Sequence, residues 1–245
     1  MKITLIGYGK MGREIERILV ERGHSIALIV DRDNTDDLTP ENLHGVDAAI
    51  EFTTPSTAFD NLRICFETGV PVVCGTTGWT ERLHEAEALC RQHGGAFFYA
   101  SNYSIGVNVF FEVNRKLAEL MNRFGTYDVT VEETHHTQKK DAPSGTALAL
   151  ADSINDEFNN EYTYVYDRST RRQKRDAKEI GLSAVRGGTI VGDHDVIFAG
   201  EDEVITFSHT AYSKNVFAKG AVQAAKFLKA KPAGLYDMSD VIEGA

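Results

Sequence analysis

Gly7-Tyr8-Gly9-Lys10-Met11-Gly12 lies between a short apolar run at 2–6 and a stretch in which Met11, Ile15, Ile18 and Leu19 recur on one helical face. A buried strand, a tight turn and an amphipathic helix follow from that order. Gly7 permits the turn, Gly9 lets a backbone approach a pyrophosphate, and Gly12 lets the helix pack close on the strand. The free N–H groups at the helix start face the phosphates. A second strand at 25–30 ends at Asp31, an acid placed to accept hydrogen bonds from an adenosine ribose. Arg32 follows and could hold a 2′-phosphate, so the pair leaves NADH and NADPH both open. Strand patterns recur at 47–52, 70–74 and 96–99, with helical patterns at 56–67 and 81–93. That alternation predicts βαβ units and a parallel sheet with right-handed crossovers. Gly75-Thr76-Thr77-Gly78 and Ala100-Ser101-Asn102-Tyr103 fall at carboxyl ends of strands, where such sheets bind ligands. Gly75, Thr76, Thr77, Ala100, Ser101, Asn102 and Tyr103 are therefore candidates for the ribose and nicotinamide.

Beyond 102 the grammar changes. Helices are predicted at 108–123, 147–158 and 218–228, and a strand at 127–133. Between 182 and 209 four short strand-like runs are broken at Arg186-Gly187-Gly188, Gly192-Asp193 and Gly200-Glu201-Asp202. Consecutive strands with turns imply an antiparallel or mixed sheet. The expected architecture is α/β: a Rossmann-type parallel-sheet domain, 1–103 with 214–245, and an α+β substrate and oligomerisation domain, 104–213. At 42% apolar residues the 245-residue chain has enough to bury in two such cores. Its 36 acidic against 26 basic residues argue against a nucleic-acid or anionic-membrane partner. Arg168, Arg171, Arg172, Lys174, Arg175 and Lys178 form a basic run, read as a solvated helix or subunit contact that balances acidic neighbours. Cys65, Cys74 and Cys90 form no CxxC pair and read as reduced thiols, with Cys74 a small buried side chain and Trp79 a packing residue. The stretch before Gly7 is too short for a signal-peptide core, and no apolar run approaches a membrane span. The expected setting is cytoplasmic.

The stretch from Glu133 to Ala147, Glu-Thr-His-His-Thr-Gln-Lys-Lys-Asp-Ala-Pro-Ser-Gly-Thr-Ala, carries the most chemistry. Adjacent His135 and His136, with Lys139 and Lys140 after them, gather titratable groups between a strand and a helix. Ser144 is the expected N-cap for that helix, whose start suits a substrate carboxylate. Lys139 adds a full charge, and a histidine supplies a proton near neutral pH. A metal reading is poor, because the two histidines are adjacent and no third ligand clusters with them in the sequence.

From His135 to Ala147 the pattern His-His-x-x-Lys-x-Asp-Ala-Pro-Ser-Gly-Thr-Ala resembles the signature of the dihydrodipicolinate reductase family of diaminopimelate and lysine synthesis. The resemblance extends to Gly7–Gly12, Glu51-Phe52-Thr53, Gly75–Gly78, Asn102–Asn108, Arg186–Gly192, His209 and the Phe217–Ala221 segment. It implies that His135 is the acid/base residue, that His136 binds substrate, and that Lys139 gives a proton or positive charge beside the reacting ring. Gly145 and Thr146 would hold a carboxylate by backbone N–H groups, and Phe52 and Thr53 would join the NADH or NADPH site. The implied substrate is a small heterocyclic dicarboxylate, and no metal is called for. The implied assembly is a homotetramer whose extreme C-terminal segment returns to the cofactor domain. Two departures stand out: Lys214 replaces an expected arginine, and the loop from Asp31 to Gly45 is short. The rival readings are another two-domain oxidoreductase, of homoserine or amino-acid dehydrogenase type, and a non-catalytic NAD(H) sensor.

Overall fold

The computed structural model describes residues 1–166, 168 and 173–244. In chain order its elements are β1 (Lys2–Ile6), α1 (Lys10–Glu21), β2 (Ser25–Val30), α2 (Pro40–Leu43), β3 (Ala48–Glu51), α3 (Ala58–Glu67), β4 (Val72–Cys74), α4 (Leu83–Gln92) and β5 (Ala96–Tyr99). There follow α5 (Ile105–Asn122), β6 (Asp128–His135), α6 (Gly145–Glu157), β7 (Thr163–Val165), β8 (Glu179–Arg186), β9 (Gly192–Ala199) and β10 (Val204–Ala211). The chain ends with α7 (Asn215–Lys229), β11 (Gly234–Tyr236) and α8 (Met238–Glu243). It divides into two compact units, Met1–Ile105 with Asn215–Ala245, and Gly106–Lys214. No described helix is long and apolar enough to cross a membrane.

In the first unit six strands pair in parallel in the order β11-β5-β4-β3-β1-β2. Strand residues alternate between two cores, as a period of two requires. Ile3, Leu5, Ile50, Val73 and Phe98 pack with α1, α7 and α8. Ile6, Ala49, Val72, Cys74 and Phe97 pack with α2, α3 and α4 on the other face. Each fully buried Ile or Leu contributes roughly 1.5–3 kcal/mol to holding those layers. The strand order reverses at β1, which puts its carboxyl end at the place where such sheets take ligands.

In the second unit a mixed sheet runs β10-β9-β6-β8-β7. β6 pairs in parallel with β8 and antiparallel with β9. Helices α5 and α6 cover the sheet through Phe110, Ala118, Leu150 and Ile154, which meet Val129, Val131, Ile180, Leu182, Val196 and Phe198.

Several expected boundaries move. β6 continues past Glu133 to His135, so the first histidine is a strand residue with Arg186 of β8 as its register partner. β9 begins at Gly192 and 187–191 form no strand, so three strands and not four occupy 182–209. β7, β11 and α8 carried too few periods to be seen in the sequence. Arg171 and Arg172 lie outside the described residues. The neighbouring Lys174 and Arg175 are in no helix, and Arg175 donates to the Val129 carbonyl at 2.7 Å.

Candidate active site

The glycine turn after β1 opens a cleft of about 720 Å³ in the first unit, lined by Gly7, Tyr8, Gly9, Lys10, Asp31, Arg32, Phe52 and Thr53. Gly7 has φ of +95°, and a Cβ there would lie 2.0 Å from the Phe52 carbonyl oxygen. At Gly9 a Cβ would meet nothing within 4 Å. That open backbone, at a helix start with no side-chain cap, fits a dinucleotide pyrophosphate. Met11 and Gly12 lie behind it, Met11 against the core and Gly12 buried. Asp31 is half-buried, its N–H held by Asn34 Oδ1 at 2.8 Å, whereas the Arg32 side chain is 88% exposed. Arg13, Thr57 and Asn61 also line the cleft. Arg13 could have been found as a cation one helical turn beyond Gly9.

Buried Glu51 holds two neighbouring turns together. It accepts from Thr76 Oγ1 at 3.0 Å, Cys74 Sγ at 3.0 Å and the Thr53 N–H at 3.1 Å, and also from Thr53 Oγ1. Gly75 lies on the Phe52 ring, 2.1 Å from where its Cβ would stand. Thr76 is buried, and Tyr103 is buried with its hydroxyl donating to the Cys74 carbonyl at 2.6 Å. Thr77 and Ser101 are exposed, Ala100 packs on the core, and Asn102 Oδ1 accepts the Ser104 N–H at 2.9 Å. Burial pushes the Cys74 thiol up, which fits a packing residue. Trp79 is buried too, with Nε1 donating to the Thr76 carbonyl at 2.7 Å.

The second unit builds a polar site on its central strands. Glu133 and His135 are two residues apart on β6 and share one face; the register sets His194 of β9 opposite Glu133. Glu133 Oε1 accepts the Ser144 N–H at 2.9 Å and Arg186 at 2.8 Å. Its Oε2 stands 2.9 Å from His135 Nδ1 and 3.7 Å from His194 Nε2. Burial alone would raise this carboxyl, but the bonds from Ser144 and Arg186 and the nearby His135 hold it below its ordinary value. Burial lowers His135, against the upward pull of Glu133, and brings His194 down to about 4. Ser144 Oγ lies 3.1 Å from His194 Nε2 and accepts the Ala147 N–H at 3.1 Å, capping α6. The Gly145 and Thr146 N–H groups lie ahead of Leu148, whose N–H makes the first i→i−4 bond of the helix, to the Ser144 carbonyl, and a Cβ on Gly145 would meet nothing within 4 Å.

His136 is half-buried, with Nδ1 lacking a hydrogen-bond partner among the described residues. Lys139 Nζ donates to Asp141 at 2.8 and 2.9 Å, while Lys140 is exposed. Glu133, Arg186 and Gly192 were named in the sequence without a role in the site, and His194 was not named. Glu133 was detectable as the period-two neighbour of His135; the others are brought in by strand register. His194 also supplies the clustered third group that was expected to be absent: donor atoms of Glu133, His135 and His194 lie within 4.8 Å of one another. Arg186 bonds the other oxygen of that carboxylate, Oε1, and the Lys139 charge acts on both imidazoles.

The family profile described as dihydrodipicolinate reductase, N-terminus, matches residues 1–103, and that described as its C-terminus matches 106–242. The 4-hydroxy-tetrahydrodipicolinate reductase of Christiangramia forsetii is 42% identical over 244 residues, covering 99% of this chain and 98% of that protein. The protein of the same name from Staphylococcus carnosus is 40% identical over 247 residues, covering 98% and 99%. Dipicolinate-bound dihydrodipicolinate reductase from Paenisporosarcina sp. TG-14 shares the fold, with a TM-score of 0.75 at 23% identity over 97% of each chain. The fold also extends, more loosely, to C. glutamicum DAP dehydrogenase, at a TM-score of 0.53 and 12% identity over 97% of this chain and 92% of that one. With both halves matched and relatives aligned over nearly their whole length, the chain belongs to the dihydrodipicolinate reductase family.

Proposed function

We propose that the protein reduces 4-hydroxy-tetrahydrodipicolinate to tetrahydrodipicolinate with NADH or NADPH, on the route to diaminopimelate and lysine. Beyond family membership, the observation that carries this reading is the buried Glu133–His135 pair built beside the open start of α6. A pyridine nucleotide, when bound, supplies a hydride. The α1 start and Gly9 hold its pyrophosphate, and Asp31 and Arg32 meet its adenosine ribose. The Gly145 and Thr146 N–H groups and Lys139 hold the substrate carboxylates, with His136 beside them. Negative charge that builds on the ring is met by Lys139 and by a proton from His135, a step contributing about 10²–10⁴-fold. Overall the ring gains a hydride and the 4-hydroxyl leaves as water with one proton.

Asp31 repels a 2′-phosphate and accepts from a 2′-hydroxyl, whereas Arg32 attracts the phosphate. Both nucleotides are therefore used, with a preference under about tenfold, or roughly 1.4 kcal/mol. The three cysteines, all buried and free, support a cytoplasmic setting. A homotetramer is supported by apolar surface on the second unit: Val204 is 60% exposed and Val185 56%. The test is nucleotide oxidation with substrate generated in situ by the synthase that makes it. Substrate-dependent oxidation of both nucleotides is expected. Nucleotide binding with no turnover would establish a sensor instead, and turnover of homoserine-type substrates alone would establish a different dehydrogenase.

A further inference from the structure

Two polar atoms beside the proposed proton donor are left to each other. Glu133 Oε2 and His135 Nδ1 are both buried, and neither has a hydrogen-bond partner elsewhere among the described residues. They stand 2.9 Å apart, in an approach bent away from linear hydrogen-bond geometry. Catalytic contacts of this kind tighten when substrate binds. The carboxylate cannot turn away. Its side chain has no exposed surface, and its other oxygen is gripped by Arg186 and by the Ser144 N–H. The pair sits on one strand, with register partners on both sides, so its spacing is set by the sheet and not by a loop.

An ionised carboxylate only accepts hydrogen bonds, so the imidazole nitrogen facing it carries a proton. That leaves Nε2 as the working nitrogen of His135. Nε2 lies against Gly192, where any Cβ would stand 2.9 Å from it. The same carboxylate holds the N–H of Ser144, whose hydroxyl caps the helix start that presents Gly145 and Thr146. One buried acid therefore touches both the proton donor and the turn that would hold the substrate.

Resting on the reading of His135 as proton donor, we propose that Glu133 is a positioning residue: it fixes His135 in the Nδ1-protonated form with Nε2 free to act, and through Ser144 it ties that ring to the carboxylate-holding start of α6. Lys139, Arg186 and His136 also act on His135 and all oppose its charge; His194 faces it from β9, with ring centroids 5.0 Å apart. Glu133 is the group that favours the imidazolium.

The test is to record the His135 imidazole nitrogen and proton signals against pH in the wild-type protein and in Glu133→Gln. Wild-type His135, when neutral, is expected as the Nδ1–H tautomer. The glutamine amide donates toward Nδ1 and carries no charge. The ring should switch tautomer, and its titration should fall by about one to three pH units. The alkaline limb of kcat should move down with it, kcat at pH 7.5 should drop about 10²-fold, and nucleotide KM should stay within about threefold. A merely structural Glu133 would leave the tautomer and the pH profile unmoved, which would overturn the proposal. If Glu133→Gln does not fold, the wild-type tautomer decides: Nε2–H would overturn the pairing. If the wild-type protein turns over no substrate, the functional reading falls, and the same tautomer measurement still decides whether Glu133 orients His135.

Discussion

Lys139 and Lys140 are neighbours in sequence with unlike surroundings. Lys139 is half-buried against Asp141, and Lys140 is exposed. An ammonium that serves both a ground-state carboxylate and a transition state should show in kcat and in KM when removed. Lys139→Ala is expected to lower kcat and raise substrate KM, each by about tenfold or more, while Lys140→Ala stays within about threefold on both. His135→Gln should lower kcat by about 10²-fold with a much smaller change in KM. Steady-state kinetics at saturating nucleotide check all three; equal effects of the two lysine substitutions would mean that the loop acts only as a basic surface. At this scale sequence reading has a clear limit. Thr76 and Tyr103 sit where ribose and nicotinamide contacts are expected, yet their hydroxyls are engaged inside the unit by Glu51 and the Cys74 carbonyl. A hydroxyl at a strand end suits either use, and packing that no local pattern encodes decides which.

At the scale of elements, Gly192 looked like a break and is the first residue of β9. The sequence signal was sound, because glycine in a strand marks a close approach. What it could not name was the partner, the His135 ring on the adjacent strand. Alanine there would put a Cβ 2.9 Å from Nε2 and 3.2 Å from Cδ2. Gly192→Ala is expected to lower kcat by about tenfold or more. Nucleotide affinity should be unchanged, since the cleft at Gly7–Lys10 belongs to the other unit. Turnover and nucleotide titration together check this; wild-type kcat would show that the ring can move aside without loss. The long alternations of helix and strand in the first hundred residues, and the signature around His135, were legible because each spans several periods or a cap. The three-residue strands β7 and β11 were not, and neither was the register that brings β6, β8 and β9 side chains together.

For the molecule as a whole, buried imidazoles set a pH dependence of stability. Burial pushes His194 down to about 4, and His135 and His209 are also lowered. In the unfolded chain these groups take up protons below about 6.5. Between those values the unfolded state binds more protons, so stability falls as pH falls. The His194 contribution is fully present at neutral pH and lost on the way to about 4, amounting to about 3 kcal/mol. The Tm is therefore expected to drop between pH 7.5 and 5 at constant ionic strength, and His194→Gln should flatten that slope. An unchanged slope would place the dependence elsewhere.

On the proposed function, hydride from a nicotinamide enters the ring of 4-hydroxy-tetrahydrodipicolinate in a reaction completed by His135 and Lys139. NADH deuterated at C4, substrate generated in situ, and mass spectrometry of the product follow that hydride. Tetrahydrodipicolinate carrying one deuterium for each labelled hydride transferred is expected, formed by the wild-type protein and about 10²-fold more slowly by His135→Gln. Unlabelled product, or label transferred equally fast without His135, would contradict it.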